Sequence, residues 1–228
     1  MQALIPSARR ALALASALSA LTCCATSASA GVVLAGNSFT GNQTGNCGFA
    51  CRGDTAFGAE NFTLASASRV ESLAVYLISS SASFSPTVDW QVRAGGGDTP
   101  GALISSGTTA GTYTVIGQWT AIPWPVYNIY YGTVDIPDLS LASGDYWVAF
   151  NVNDSSAYWA DTTQGDTKTA ITMDSGTTWS TGYSGTGSVA NYAFAVIGTT
   201  NTVPEPASVL LVALALGAAT VARSRRSA

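Results

Sequence analysis

Between residues 31 and 200 the side chains alternate between apolar and polar along several short segments, and no window gives a helical repeat. Because successive side chains of a strand point to opposite faces of a sheet, this period of two predicts strands with one buried face. The clearest stripes are Leu73-Val75-Leu77, Val88-Trp90-Val92, Tyr146-Val148-Phe150-Val152 and Tyr192-Phe194-Val196. We therefore expect an all-β fold, a single jelly-roll-like β-sandwich of eight to eleven short strands over about 170 residues.

The charge content of the chain excludes several classes of function. Only 10% of the 228 residues are charged and none is histidine, so imidazole cannot act as a base, a metal ligand or a pH switch. Residues 31–203 carry twelve acidic and four basic side chains, a net charge of about −8. A surface so poor in lysine and arginine has no basic footprint for nucleic acid, and we expect no nucleic-acid partner.

The first thirty residues have the three parts of a secretory signal peptide. Arg9 and Arg10 supply positive charge, and a small-apolar run follows over residues 11–21. Ala28 and Ala30 then offer a cleavage site for signal peptidase that would leave Gly31 as the new N-terminus. An uncleaved membrane helix is disfavoured because eleven apolar residues are too few to span a bilayer.

A second apolar stretch, over residues 207–222, predicts a transmembrane helix within a C-terminal segment of residues 201–228. Sixteen residues make about 24 Å of helix, slightly less than the hydrocarbon core of a bilayer. The stretch is followed by Arg223, Arg225 and Arg226, which predict that this end stays in the cytoplasm while the sandwich is exported. The protein would then be held in the inner membrane by this helix before it is processed.

Two prolines set the backbone just before that helix. Pro204 and Pro206 lock their own φ angles and push Val203 and Glu205 toward extended backbone. An extended, exposed segment is the form in which a protease can bind a peptide. A plain linker before a membrane anchor would have the same features, so the residues alone leave both interpretations open.

The order of Val203-Pro204-Glu205-Pro206, an apolar helix and an arginine cluster resembles the PEP-CTERM sorting signal of Gram-negative bacteria. The resemblance implies that the tail is recognised by an exosortase, a membrane transpeptidase-like cysteine protease, and is cut near the Pro-Glu-Pro motif. It also implies delivery to the cell surface or to the extracellular polysaccharide matrix. It covers only about the last 26 residues and implies nothing for residues 31–200.

Cys47 and Cys51 are the two cysteines that remain after removal of the signal peptide. In an oxidising compartment a pair so close in sequence is expected to form a disulfide, with free thiols as the alternative. A zinc site is disfavoured, because two thiolates without further cysteine or histidine ligands cannot complete the metal's coordination.

Aromatic residues are concentrated between residues 119 and 131, around Pro123 and Pro125, which exclude the stretch from a central strand. The cluster consists of Trp119, Trp124, Tyr127, Tyr130 and Tyr131. Flat rings on a loop or edge suit a polysaccharide-binding face, and Trp119, Trp124 and Tyr127 are the candidate sugar-stacking residues. Large side chains that close the end of a sandwich would give the same pattern.

Neither a catalytic site nor a metal site stands out among the remaining residues. Without histidine there is no nucleophile–histidine pair. A glycosidase needs only two opposed carboxylates, but the sequence singles out no such pair of acidic residues. Acidic residues fall in predicted loops, but none follows the ligand spacing of a calcium loop. The acidic and amide pairs are Asp135 with Asp138, Asn153 with Asp154 and Asp161 with Asp166. We therefore expect no cofactor.

Together these features predict a non-enzymatic, exosortase-processed protein of the cell surface or extracellular matrix, with a structural or adhesive role in extracellular polysaccharide. A carbohydrate-binding module that uses the 119–131 aromatics is the alternative, and a glycosidase is less favoured.

Overall fold

The computed structural model describes the chain over residues 31–40, 55–81, 84–120, 126–154, 156–166, 168–181 and 191–200. The described residues form fourteen strands and no helix. In chain order these are β1 Val32–Asn37, β2 Phe57–Leu64, β3 Ser68–Ser79, β4 Thr87–Ala94, β5 Leu103–Ala110, β6 Thr112–Thr120, β7 Val126–Leu141, β8 Gly144–Val152, β9 Ala157–Trp159, β10 Asp161–Thr162, β11 Thr169–Thr172, β12 Ser180–Thr181, β13 Asn191–Tyr192 and β14 Phe194–Thr200.

These strands make two six-stranded antiparallel sheets and one short pair. Sheet A has the order β1-β14-β3-β7-β6, and β9 also pairs with β3. Sheet B has the order β12-β11-β2-β8-β4-β5, while β10 pairs with β13. Neighbours such as β14 and β3 are distant in sequence, so most of the sheet contacts are long-range and depend on the whole domain being folded.

One hydrophobic core lies between the facing sides of the two sheets. Its largest fully buried side chains include Trp90 from β4, Phe150 from β8, Trp159 from β9 and Phe194 from β14. The rings of Phe150 and Trp159 meet edge to face with centroids 5.0 Å apart. Burial of several aromatic side chains of this size supplies much of the apolar contact that holds the two sheets together.

The predicted stripes are confirmed as the core-facing sides of their strands. Leu73, Val75 and Leu77 of β3 are fully buried in the core, as are Val148 and Phe150 of β8. The number of strands was underestimated, because the short strands from β9 to β13 have two to four residues each and leave too little alternation to detect.

The loop between β4 and β5 contains Pro100-Gly101, a dipeptide typical of the two central positions of a type II turn, but it does not form that turn here. A type II turn needs a positive φ at its third residue, which would be Gly101. The glycine with positive φ in this loop is instead Gly96, at 96°. Gly101 donates its backbone N–H to the carbonyl of Ala94 at 2.9 Å, which continues the pairing of β4 toward β5.

The outer face of sheet B is covered by the segment that follows β11. Arg93 of β4 points to this face and is almost fully buried there. Its Nη2 donates to the carbonyl of Gly176 at 2.8 Å, and its guanidinium carbon lies 5.3 Å from the centre of the Trp179 ring. Gln91 adds a bond from Nε2 to the carbonyl of Ser175 at 3.2 Å. These hydrogen bonds and the ring contact hold residues 173–179 against the outer face of sheet B.

Candidate functional site

The pairing of β6 with β7 places two of the predicted aromatic residues side by side. Trp119 is directly opposite Tyr127 in the antiparallel register. Their ring centroids are 5.4 Å apart with an angle of 42° between the ring planes, and both side chains are half-buried. Opposite residues of an antiparallel pair point to the same face, which here is the face of sheet A turned away from the core.

Further aromatic rings lie on this face beside β7. Tyr158 of β9 reaches Tyr127 from across β3, with centroids 6.2 Å apart. Tyr131 lies four residues along β7 and meets Tyr76 of β3 at 5.1 Å. Phe39 stacks on Tyr76 at 6.0 Å. We call this surface the aromatic face: Phe39, Tyr76, Trp119, Tyr127, Tyr131 and Tyr158.

Two isoleucines on the same face lie between the two groups of rings. Ile78 of β3 is paired with Ile129 of β7. Their residual exposures are only 4% and 5%, although they point away from the core. The aromatic face therefore has an apolar floor rather than a polar one, which favours contact with C–H groups over contact with ions.

Charge is absent from the part of the chain that supplies three of the six rings of this face, those of Trp119, Tyr127 and Tyr131. The sequence has no charged residue between Asp98 and Asp135, a stretch that contains all of β5 and β6 and the first half of β7. Thr112, Thr114 and Thr133 provide hydroxyl groups on the same side of the sheet as Tyr131. The face combines flat rings with neutral hydrogen-bonding groups.

The structure separates the aromatic cluster that the sequence suggested. Tyr130, next to Tyr131, points to the opposite side of β7, is buried in the core and stacks on Phe84 at 4.4 Å. Trp124 lies outside the described residues. The expectation that the prolines keep this stretch out of a central strand was wrong for its second half. Strand β7 begins at Val126 and lies between β3 and β6.

Tyr76, Tyr158 and Phe39 were not predicted from the sequence. They lie 39 or more residues from Trp119. Tyr76 and Tyr158 join the face through the pairing of β3 with β7 and β9, and Phe39 follows β1, which is linked to β3 through β14. Tyr76 alone had a signal, because it alternates with the buried stripe of β3. Burial raises the pKa of the Tyr76 phenol, with Tyr131 as a smaller cause, so the hydroxyl stays protonated at neutral pH.

The carboxyl group of Glu60 has a strongly altered pKa and is fully buried. Its exposure is 0%, on the core side of β2. Burial raises its pKa well above the usual value, and the charges of Asp166 and Asp161 act in the same direction. Such a pKa would suit the general acid of a glycosidase, but a polymer cannot reach a group sealed between two sheets. Glu60 therefore has a structural place in the fold.

Three of the acidic residues considered for calcium, Asp138, Asp154 and Asp166, have partners within the protein. Asp138 pairs with Arg69, and Asp154 Oδ1 accepts hydrogen bonds from the N–H and hydroxyl of Ser156. Asp166 accepts from Asn61 Nδ2 at 2.8 Å. Within the ranges that the structure describes, no group of three or more acidic or cysteine side chains is arranged to hold a metal ion.

Several predicted residues lie outside the described ranges. These are the signal peptide with Ala28 and Ala30, the cysteine pair Cys47 and Cys51, and the whole segment from residue 201 onward with Val203, Pro204, Glu205, Pro206, Arg223, Arg225 and Arg226. The Cys47–Cys51 disulfide has no support from the structure and stays a prediction. Gly31 is described, and it is exposed directly before β1. None of the described residues belongs to a helix that could cross a membrane.

Comparison with known proteins gives one result for the tail and none for the sandwich. No curated protein and no solved structure matches this chain. The model of the PEP-CTERM protein-sorting motif matches residues 202–226, the same segment in which the sequence places Pro-Glu-Pro, the apolar stretch and the arginines. The chain is therefore an exported protein with a PEP-CTERM sorting motif, a substrate of an exosortase.

Proposed function

We propose that the protein is a non-enzymatic component of the cell surface or extracellular matrix that adheres to a neutral polysaccharide through the aromatic face. The observation that carries this proposal is the contact of Trp119, Tyr127 and Tyr158 on one exposed side of sheet A. We also propose that the sandwich is of the jelly-roll type, flanked by a cleaved signal peptide and a transmembrane sorting helix, and that its bacterium is Gram-negative.

The spacing of the rings supports an extended polymer rather than a single sugar. Tyr127 and Tyr131 are four residues apart on the same strand, which corresponds to about 13 Å. That distance is longer than one sugar ring, so both ring groups can be occupied together only by an oligosaccharide. Several weak stacking contacts along one chain would add up to useful affinity.

The chemistry of the face supports a neutral glycan. Sugar C–H groups pack on ring faces, and the hydroxyls of the glycan can bond to threonine and tyrosine hydroxyls. A polyanion would be repelled by the net charge of about −8 on residues 31–203. The exported protein and a neutral polymer would therefore associate through apolar and hydrogen-bonding contacts.

The adhesion proposal is tested with matched tryptophan variants. Trp119→Ala removes a ring of the aromatic face, whereas Trp179→Ala removes a half-buried ring that packs on sheet B. We expect Trp119→Ala to weaken retention on neutral polysaccharide at least tenfold while Trp179→Ala has the affinity of the native protein, with folding checked by circular dichroism. Retention of the native protein on no neutral glycan, or equal binding by both variants, would contradict the proposal.

The processing steps are tested by intact mass. The mature protein should begin at Gly31 and lack the apolar stretch and the arginines that follow Pro-Glu-Pro. A Cys47–Cys51 disulfide should make it two mass units lighter than the protein with free thiols. Replacement of Pro204 and Glu205 by alanine should leave the C-terminal segment uncut. Unchanged maturation of that variant would count against processing at this motif.

A further inference from the structure

The end of the sandwich at which β14 finishes is tied directly to the sorting motif. Thr200, the last residue of β14, is opposite Ser68 of β3, and Ser68 is opposite Leu141 of β7. Three strands of sheet A therefore end in one row. The turns over residues 65–67 and 142–143 connect to sheet B at this same level, and we call this surface the exit end.

Very little chain separates the exit end from the sorting motif. The matched motif begins at residue 202, two residues after Thr200. Two residues span at most about 7 Å even when fully extended, and Pro204 is at most about 14 Å from Thr200. An enzyme that binds the motif must therefore approach the folded sandwich to within the thickness of a few side chains.

The last residues of β14 are paired with β3. We therefore expect β14 to stay in the sheet when the enzyme binds the tail. A Cβ built on Gly198 would lie 1.9 Å from the carbonyl oxygen of Arg69, which shows how closely β14 and β3 approach. Val32 of β1 is opposite Gly198 on the other side. Gly198 therefore lies between two strands, and Thr199 and Thr200 continue the pairing with β3 up to the exit point.

A polar group flanks this exit point. Arg69 is half-exposed and forms ion pairs with Asp138 and, at 3.9 Å, with Glu71. The hydroxyl of Thr199 lies 3.5 Å from Glu71 Oε1. These side chains and the turns around them are the surface that an approaching enzyme meets first.

From this placement we infer that the exit end of the sandwich is a contact surface for the exosortase, so that the enzyme recognises the folded domain together with the tail. The inference rests on the sorting motif and on the end of β14, and it is independent of polysaccharide binding. The occupant is the enzyme and not the lipid surface, because the motif that lies within reach of Thr200 is the segment that the enzyme binds.

Site-specific photo-crosslinking tests this inference in cells that contain a catalytically inactive exosortase. The cross-linker replaces an exposed serine at the exit end, Ser66 or Ser140, or the exposed control serine Ser80 at the opposite end of β3. The length of β3 places Ser80 about 36 Å away from the exit end. We expect crosslinks to the enzyme from Ser66 and Ser140 at least fivefold stronger than from Ser80.

A linker insertion provides the second measurement. About fifteen glycine and serine residues inserted between Thr200 and Asn201 add a mean separation of about 20 Å. A surface that the enzyme recognises keeps its contact when the linker is lengthened, so the exit-end crosslinks should stay at least fivefold stronger than those from Ser80. Crosslinks of equal strength from both ends, crosslinks to lipid alone, or exit-end crosslinks that fall to the level of Ser80 after the insertion would each overturn the inference. A protein that binds no polysaccharide would leave all of these outcomes unchanged.

Discussion

Glu60 Oε2 accepts a hydrogen bond from the backbone N–H of Tyr192 at 3.0 Å, so a carboxyl group on β2 of sheet B holds a strand on the other side of the core. Its second oxygen accepts from Asn37 Nδ2 of β1 at 2.8 Å. Strands β1 and β13 and sheet B therefore meet at one buried acid.

This acid should make the protein less stable as the pH rises. Burial raises the pKa of Glu60 well above 4.5, with smaller contributions from Asp166 and Asp161, and its two hydrogen bonds oppose the shift. A group with a raised pKa in the folded state contributes stability below its unfolded pKa, and that stability is lost as the pH rises through the folded pKa. Above about pH 5, unfolding in urea should become easier by up to about 1.4 kcal/mol per pH unit until the pH passes the folded pKa of Glu60.

The variant Glu60→Gln should remove this slope, because the amide is neutral throughout the range. Glu71→Gln is the matched control, since it deletes a partly exposed carboxylate of the same type. Asp174 does not interfere, because hydrogen bonds from Thr172 and Thr178 lower the pKa of its carboxyl, which stays ionised over the whole range. A native protein whose urea midpoint is constant with pH would contradict the prediction.

The position of Glu60 illustrates what alternation can and cannot predict. On β2 the even residues Glu60, Phe62 and Leu64 face the core, but the odd residues Phe57 and Ala59 are apolar as well. Sequence alone cannot choose between two apolar faces. Both are buried because residues 173–179 cover the outer side of sheet B, a long-range contact that has no local signal.

The sides of the sheet to which the aromatic residues point could not be predicted from sequence either. Their density between residues 119 and 131 was visible, but strand geometry sends Tyr130 and Tyr131 to opposite sides of β7. The sorting motif could be recognised from sequence, because its three elements are consecutive and need no folded partner to be recognised. The aromatic face needed the register of four strands.

Gly132 leaves space for a tyrosine ring, and filling that space should destabilise the sandwich. A Cβ at Gly132 would lie 2.5 Å from Cε1 of Tyr113. Tyr113 cannot move freely, because its hydroxyl donates to the Pro86 carbonyl at 3.1 Å and its ring packs on Phe84 at 5.1 Å. Gly132→Ala should lower the free energy of unfolding by about 1–3 kcal/mol.

Gly117→Ala is the control for this substitution. The nearest atom to a Cβ at Gly117 is Ile129 Cδ1, at an ordinary contact distance of 3.7 Å. Because alanine restricts the unfolded chain, this variant should be neutral or gain a few tenths of a kcal/mol. Equal loss of stability in both variants, measured by urea unfolding, would show that the Tyr113 ring is not the cause.

Arg93 should resist replacement by lysine. Its three nitrogens donate in three directions, to Gln91 Oε1, the Gly101 carbonyl and the Gly176 carbonyl, at 2.7 to 2.8 Å. A single ammonium group cannot reproduce this planar arrangement, and Gly176, whose carbonyl would lose its donor, is buried. Arg93→Lys should therefore cost about 1–3 kcal/mol and expose residues 173–179 to proteolysis.

The comparison for Arg93 is Arg69→Lys at the exit end. Arg69 is half-exposed, and its ion pairs with Asp138 and Glu71 are open to solvent. Exposed ion pairs contribute little to stability, so this variant should unfold near the native urea midpoint. If both lysine variants have the same stability, the bonds of Arg93 do not hold the covering segment.

Binding of polysaccharide should be insensitive to salt if the aromatic face carries it. Three of its six rings, those of Trp119, Tyr127 and Tyr131, lie in a stretch without charged residues. Contacts between these rings and a neutral glycan are not screened by ions. Raising the ionic strength from about 0.05 M to about 0.5 M shortens the Debye length about threefold and weakens only charge-dependent contacts. The dissociation constant for a neutral polymer, measured by affinity electrophoresis at both salt concentrations, should change less than about twofold, whereas a sulfated polymer should be bound at neither. A steep loss of neutral-glycan binding in salt would show that the contact depends on charge and would exclude the aromatic face as the binding surface.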